Sequence, residues 1–182
     1  MPVADLADGT IEGPDGPGEG PVGGARTGDV AHFREVLGHF ATGITIVTAL
    51  EEGEPVGFTC QSFAALSLDP PMVILAPART STSWPRIAKA GAFCVNILGE
   101  HQEALCRSFA VSGGDKFEGV GWSHGITGAP VIDNSLAVVE CRLGDIFDGG
   151  DHELVTGHVV AMEIGEGSPL LFYRGGFGRY AS

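Results

Sequence analysis

Three stretches of the chain carry side chains whose types and spacing suit ligand chemistry. In Gly57-Phe58-Thr59-Cys60-Gln61-Ser62-Phe63, the polar groups of Thr59, Gln61 and Ser62 lie between two apolar segments, and Pro70-Pro71 then forbids helix. The small residues that follow leave backbone N–H groups unshielded. Such a run suits a bound ligand, and it equally suits a polar turn in an all-β domain. Arg79-Thr80-Ser81-Thr82-Ser83 stands before Trp84-Pro85, so a cation, several hydroxyls and the N–H groups of a helix start fall together. That combination suits an anion such as a phosphate. A Ser/Thr N-cap with proline in the first turn is the other reading. Third, Gly149-Gly150-Asp151-His152 sets an imidazole at a turn that opens into an alternating strand.

Other chemistries are excluded by what is missing. His152 and His158 stand six residues apart on a strand, not the i, i+4 helical pair that puts two imidazoles on one metal, so no metal is expected. Neither a Gly-x-Ser-x-Gly elbow nor a Walker-type phosphate loop occurs. With no Gly-x-Gly-x-x-Gly between a strand and a helix, a dinucleotide would not lie on a Rossmann turn.

The elements that must carry these residues are mostly strands. Asp29 is a plausible N-cap, and Phe33, Val36, Leu37 and Phe40 follow the spacing of an amphipathic helix that Gly43 ends. The period then switches to two, with Ile44, Ile46 and Thr48 opposing Thr45 and Val47, and Glu52-Gly53-Glu54-Pro55 connects a hairpin. Further strands are expected over 72–76, 93–98, 137–147, 154–164 and 170–173, with short helices over 84–90 and 100–110. Many strands, Gly-rich turns and few long helices predict a barrel or sandwich rather than a doubly wound sheet.

Composition narrows the setting. A chain of 182 residues with 43% hydrophobic content suits one buried core, and one domain is expected. Cys60, Cys94, Cys106 and Cys141 are scattered singly, which predicts buried apolar thiols and no disulfide framework. No apolar run approaches a membrane span, and no signal-peptide pattern opens the chain, so a cytoplasmic protein with no membrane contact is expected. The net charge of −13 argues against a nucleic-acid partner. Residues 1–30 carry six acids against Arg26, leaving −8 for the rest. Rich in glycine and proline, residues 1–28 are expected to form a flexible tail ahead of a domain over 29–182.

Taken together, the first and third stretches, Phe93-Cys94-Val95-Asn96-Ile97-Leu98 and the C-terminal Leu171-Phe172-Tyr173-Arg174-Gly175-Gly176-Phe177-Gly178-Arg179-Tyr180 resemble the flavin reductase-like family of FMN-binding split β-barrels. More narrowly, the chain resembles the reductase component of two-component flavin-dependent monooxygenases, over roughly residues 30–180. The resemblance implies an all-β fold with minor helices, a Greek-key split β-barrel, and a homodimer. It also implies an NAD(P)H:flavin oxidoreductase that passes reduced FAD or FMN to a partner monooxygenase. NADH is favoured over NADPH because no Arg cluster suggests a 2′-phosphate clamp. Either FAD or FMN fits.

The residues this resemblance assigns to flavin are Thr59, Cys60, Gln61, Ser62, Ala76, Ser81, Thr82, Ser83, Phe93, Asn96, Lys116, Phe117 and Tyr180, with Arg79 a weaker candidate for the phosphate. Thr59, Gln61 and Ser62 would serve the pyrimidine edge of the ring, where reduction places negative charge. His152 would hold the pyridine nucleotide, orienting it rather than acting as acid or base. Without the resemblance, Phe93 reads as core, Lys116 as a solvated loop residue and Asp151-His152 as a surface turn. The C-terminal aromatics fit either closure of the site or packing on a second chain. Two rival functions stay open: a flavin-binding protein without turnover, and a relative of pyridoxamine-phosphate oxidase, which would want more basic groups around its phosphate.

Overall fold

The structure is a computed structural model that describes residues 29–180, so the expected tail over 1–28 lies outside the described residues. Asp29 caps α1 (Val30–Leu37), its carboxylate accepting from the backbone N–H groups of Ala31 and His32 at 3.0 and 3.1 Å. The helix ends earlier than expected, at Gly38 instead of Gly43. There the C-terminal hairpin crosses it, with Arg174 N–H donating to Gly38 O at 2.9 Å, and a side chain on Gly38 would press on Arg34 O. Its apolar residues Phe33, Val36 and Leu37, and Phe40 just beyond it, are all exposed.

After α1 the chain runs through β1 (Thr42–Gly43), β2 (Thr45–Glu51), β3 (Glu54–Cys60), β4 (Phe63–Leu68), β5 (Pro71–Leu75), α2 (Trp84–Ala90) and β6 (Ala92–Ile97). It continues through a 3-10 turn (Glu100–Gln102), α3 (Glu103–Ala110), β7 (Trp122–His124), β8 (Pro130–Ile132), β9 (Ala137–Gly149), β10 (His152–Ile164), β11 (Leu170–Tyr173) and β12 (Gly176–Arg179). Seven strands form one antiparallel sheet in the order β3-β2-β6-β9-β10-β5-β4, with β1-β11-β12 and β7-β8 as small accessory sheets. The two edge strands of the large sheet, β3 and β4, are consecutive in the chain and joined only by Gln61 and Ser62. A two-residue link forces those edges together, so the sheet curls into a barrel that stays open along one seam.

Expected alternation along β2 sorts the interior into two cores. Val47 and Ala49 face the barrel core with Phe58, Leu75, Phe93, Val95 and Val155, and α2 plugs that core with Trp84 and Ile87. Ile44 and Ile46 face the other way, onto Leu98, Cys106, Phe109, Phe117 and Leu170. The β2–β3 turn is tighter than expected. Glu52 and Gly53 alone make it, both at positive φ (53° and 88°), which matches the twist of the strands they join. The helix expected over 100–110 is divided into the 3-10 turn and α3, while 84–90 and 170–173 agree with the structure at both ends.

β9 and β10 form a long hairpin bent by two bulges. Asp145 N–H donates to Thr156 Oγ1 at 2.8 Å at the first, and beyond it Gly157 lets the strand pass over Phe93, whose ring a side chain there would strike. Glu140, buried on β9, organises the β7–β8 turn. Its carboxylate accepts from Ile126 N–H (2.9 Å), Thr127 N–H (2.7 Å) and Thr127 Oγ1 (2.6 Å). Burial pushes its pKa up, but these donors outweigh that and hold it below the ordinary glutamate value of 4.5. The stabilisation is therefore complete above that ordinary value and is lost as pH falls through the lower folded one. Glu140→Ala is expected to lower stability at neutral pH by about 2 kcal/mol, from charge-assisted bonds, and to flatten the acid limb of the stability curve. Denaturant unfolding of both proteins across acidic to neutral pH checks this; parallel curves would refute it.

Candidate active site

The polar side chains of the link and of the strand end before it tie the edge of the seam to neighbouring segments. Ser62 Oγ donates to Ala76 O and accepts from Ala76 N–H, both at 2.9 Å, tying the start of β4 to the end of β5. Gln61 Nε2 donates to Thr42 Oγ1 at 2.7 Å, and Thr59 Oγ1 to Cys106 O at 2.6 Å. These groups, expected to serve a flavin ring, each make an internal bond in this structure, where two chain segments are joined. The link therefore offers a ligand its shape and main chain. Cys60 is buried with its thiol 3.4 Å from Ser62 Oγ, and burial pushes its pKa up, which leaves it inert.

A small open cleft lies beside the seam, lined by Thr59, by the Ser81-Thr82-Ser83 turn ahead of α2, by Phe109 and by Lys116. Side chains far apart in sequence, assigned separately to flavin, are thus brought together. The hydroxyl of Ser81 accepts from Trp84 N–H at 3.1 Å and starts α2, whereas Ser83, at the N-cap position, makes no side-chain cap bond. Lys116 Nζ donates to Phe109 O (3.0 Å) and Gly57 O (3.3 Å), and desolvation lowers its pKa. An ammonium held only by carbonyl oxygens gains from an anion placed beside it. Lys116 is thus no solvated loop residue. Phe109 can approach the cleft because Gly57 has no Cβ, which would lie 2.9 Å from the ring.

His152 stands at the first position of β10, after Gly150 at φ 78°. Its strand end pairs with the segment that leads into the serine turn: Arg79 N–H donates to Asp151 O (2.9 Å), Glu153 N–H to Pro77 O (3.0 Å), and Ala78 is bridged to His152 itself. Ala78 also lines the cleft. The imidazole Nδ1 lies 2.7 Å from Asp151 Oδ1, while Nε2 is buried and has no hydrogen-bond partner among the described residues. A buried ring nitrogen without a partner is costly unless a ligand supplies one.

Other expected contacts are not brought to the cleft. Phe93 and Asn96 are wholly buried. Asn96 Nδ2 donates to Ile46 O (3.1 Å) and Thr48 Oγ1 (3.0 Å), and its Oδ1 accepts from Ile132 N–H (2.8 Å), so it joins three strands. Phe117 packs edge-on against Phe109 and Trp122 at 5.0 and 6.0 Å, inside the second core. Ala76 is held by Ser62, and Tyr180 is exposed and lines no part of this cleft. Arg79 turns to the hairpin instead: Nε donates to Gly150 O (2.9 Å), Nη1 to Glu153 Oε1 (3.2 Å) and Nη2 to Asp148 Oδ1 (2.6 Å). Phe58, Ala78 and Ser112 line the cleft without having been singled out in the sequence. Only Ser112, before Gly113-Gly114, carried a signal, as a small polar residue in a loop. A second cleft is lined by the carboxylates of Asp133 and Glu163 and by no Lys or Arg, which disfavours an anion there.

A barrel curled from one antiparallel sheet and opened along a seam bridged by two residues, with a hydroxyl-lined cleft beside it, defines a split β-barrel. The sequence model described as the flavin reductase like domain matches residues 37–181, and the chain belongs to that family. It is 49% identical over 159 residues to the reductase subunit HsaB of a flavin-dependent monooxygenase from Rhodococcus jostii, covering 87% of this chain and 81% of that one. Among solved structures, nitrilotriacetate monooxygenase component B from Mycobacterium thermoresistibile superposes with a TM-score of 0.82 at 48% identity, over 84% of this chain and 87% of that one. The NADH:FAD oxidoreductase SgcE6 of Streptomyces globisporus, in complex with NAD and FAD fragments, superposes with a TM-score of 0.82 at 33% identity, over 88% and 98%.

Proposed function

We propose that this protein reduces FAD or FMN with NADH and hands the reduced flavin to a partner monooxygenase. The observation that carries this reading is the pairing of an anion-suited cleft with the unpartnered, buried Nε2 of His152 one bridge away. Ser81, Thr82, Ser83 and Lys116 would hold the flavin phosphate, and the main chain around Gln61 and Ser62 would meet the ring. The bound flavin accepts hydride at N5 from nicotinamide C4. His152 orients the nicotinamide, with Nδ1 fixed on Asp151 and Nε2 left as an acceptor for the carboxamide N–H. These residues engage what FAD and FMN share, so both are expected to be reduced. The turn around His152 carries Asp148, Asp151 and Glu153, and its arginine is committed to carboxylates, which favours NADH over a nucleotide with a 2′-phosphate.

Relatives that are reductase subunits of monooxygenases support a separate oxygenase as acceptor of the reduced flavin. A cleft of neutral donors and a single ammonium also suits a flavin that must leave. A homodimer accounts for the exposed apolar residues of α1, of β4 (Leu66, Leu68) and of the outer hairpin (Phe147, Met162, Ile164). Four buried, free cysteines fit a reducing, cytoplasmic setting. Purified protein mixed with NADH and excess FAD or FMN is expected to oxidise many equivalents of NADH. A tightly yellow protein that oxidises one equivalent or none would instead be a flavin carrier.

A further inference from the structure

Arg79 and Glu153 form a junction between the two halves of the site. The guanidinium makes three bonds from one planar fork, to Gly150 O, Asp148 Oδ1 and Glu153 Oε1, all on the β9–β10 turn. The second oxygen of Glu153 accepts from Trp84 Nε1 at 2.6 Å. Trp84 is 3% exposed and rooted in the barrel core, and it directly follows Ser83. One carboxylate thus ties the surface turn to an indole packed in the barrel core and to the arginine that opens the serine turn. His152 lies between Asp151 and Glu153, and both neighbours are held by main-chain bonds to Arg79 and Pro77. The main chain is thus pinned on either side of His152, the Glu153 side chain is held by Arg79 and Trp84, and the Asp151 carboxylate rests on the imidazole itself. Asp148 and Arg79 are exposed, and such pairs add little to global stability. What the junction sets is position.

We propose that Arg79 and Glu153 are positioning residues for His152, holding the turn that meets the nicotinamide at a fixed separation from the serine turn that meets the flavin. This rests on the reading of the protein as an NADH-dependent flavin reductase. It assigns Arg79 a role opposite to phosphate binding: its loss is felt by NADH and not by flavin.

Arg79→Ala and Glu153→Gln are each expected to raise the KM for NADH about tenfold, since small displacements of an orienting group are costly, and to leave the flavin Kd within about twofold. In a His152→Ala background, Arg79→Ala is expected to change the NADH KM by less than about twofold, because the two residues act as one unit. Amide hydrogen exchange over residues 149–154 is expected to accelerate in Arg79→Ala and Glu153→Gln, independently of any turnover. Asp148→Ala removes one exposed acceptor of the guanidinium and gives the same pattern more weakly, should Arg79→Ala unfold the protein. A weakened flavin Kd with an unchanged NADH KM would make Arg79 a phosphate ligand and overturn the proposal. So would effects of Arg79→Ala and His152→Ala that multiply. Failure of the functional reading shows earlier, as an unsubstituted protein that oxidises no NADH in the presence of flavin, and it would overturn both.

Discussion

His152→Ala is expected to lower kcat/KM for NADH about 100-fold, equivalent to about 2.7 kcal/mol of transition-state stabilisation, while flavin affinity stays within about twofold. The imidazole is placed for this by its two nitrogens having different surroundings. Nδ1 is bonded to Asp151, which in the neutral ring makes it the N–H side, and Nε2 is left as a buried acceptor. Hydride transfer needs the donor carbon within a narrow range of distance and angle to its acceptor, and the chain has only to hold the dihydropyridine there. Alanine removes both the acceptor and the surface that aligns the ring. Initial rates at varied NADH and saturating flavin, beside a fluorescence titration of flavin alone, check the prediction. Equal losses in both would place His152 in the flavin site and remove its assigned role.

Ser81→Ala combined with Ser83→Ala is expected to weaken binding of FMN by about 1–3 kcal/mol through lost hydrogen bonds to an ionised group. Riboflavin, which lacks the phosphate, is expected to bind the variant as it binds the parent. The two serines are not equivalent. Ser81 Oγ already accepts from Trp84 N–H, so its loss also weakens the start of α2, whereas Ser83 makes no cap bond. Ser83→Ala alone is therefore expected to carry most of the affinity loss with little change in melting temperature. If FMN affinity is unchanged in the double variant, the phosphate lies elsewhere. A parallel loss for riboflavin would move these hydroxyls to the ring.

How much of this was legible in the sequence depended on whether a residue's partner is local. α2 was, because Pro85 in its first turn and Gly91 at φ 71° mark both ends within the segment itself. β11 was bounded as clearly. β4 was not, since Phe63-Ala64-Ala65-Leu66-Ser67-Leu68 shows no period of two and reads as a linker. It is nevertheless a strand, because β5 pairs with it across the barrel edge. The same limit applied to the site. Thr59, Gln61 and Ser62 announce donors but not acceptors, and their acceptors at Cys106, Thr42 and Ala76 became visible only in the fold. Arg79 looked like a phosphate ligand because its neighbours in sequence are hydroxyls, whereas its neighbours in space are carboxylates from the distant hairpin. Ser81, Thr82, Ser83 and Lys116 were singled out through family resemblance, and what the structure adds is that they line a single cleft.

The joint at Gln61 and Ser62 has a consequence for how this cylinder can vary. β4 is locked in register to β5 by their own turn at Asp69-Pro70 and by the grip of Ser62 on Ala76, so one amino acid spliced in ahead of Ser62 would leave that pair intact and slacken only the tether between the two rims, β3 and β4. The mouth's gauge is thus built into two residues of the polypeptide, and lengthening is tolerable at outlying bends but not at this hinge pin.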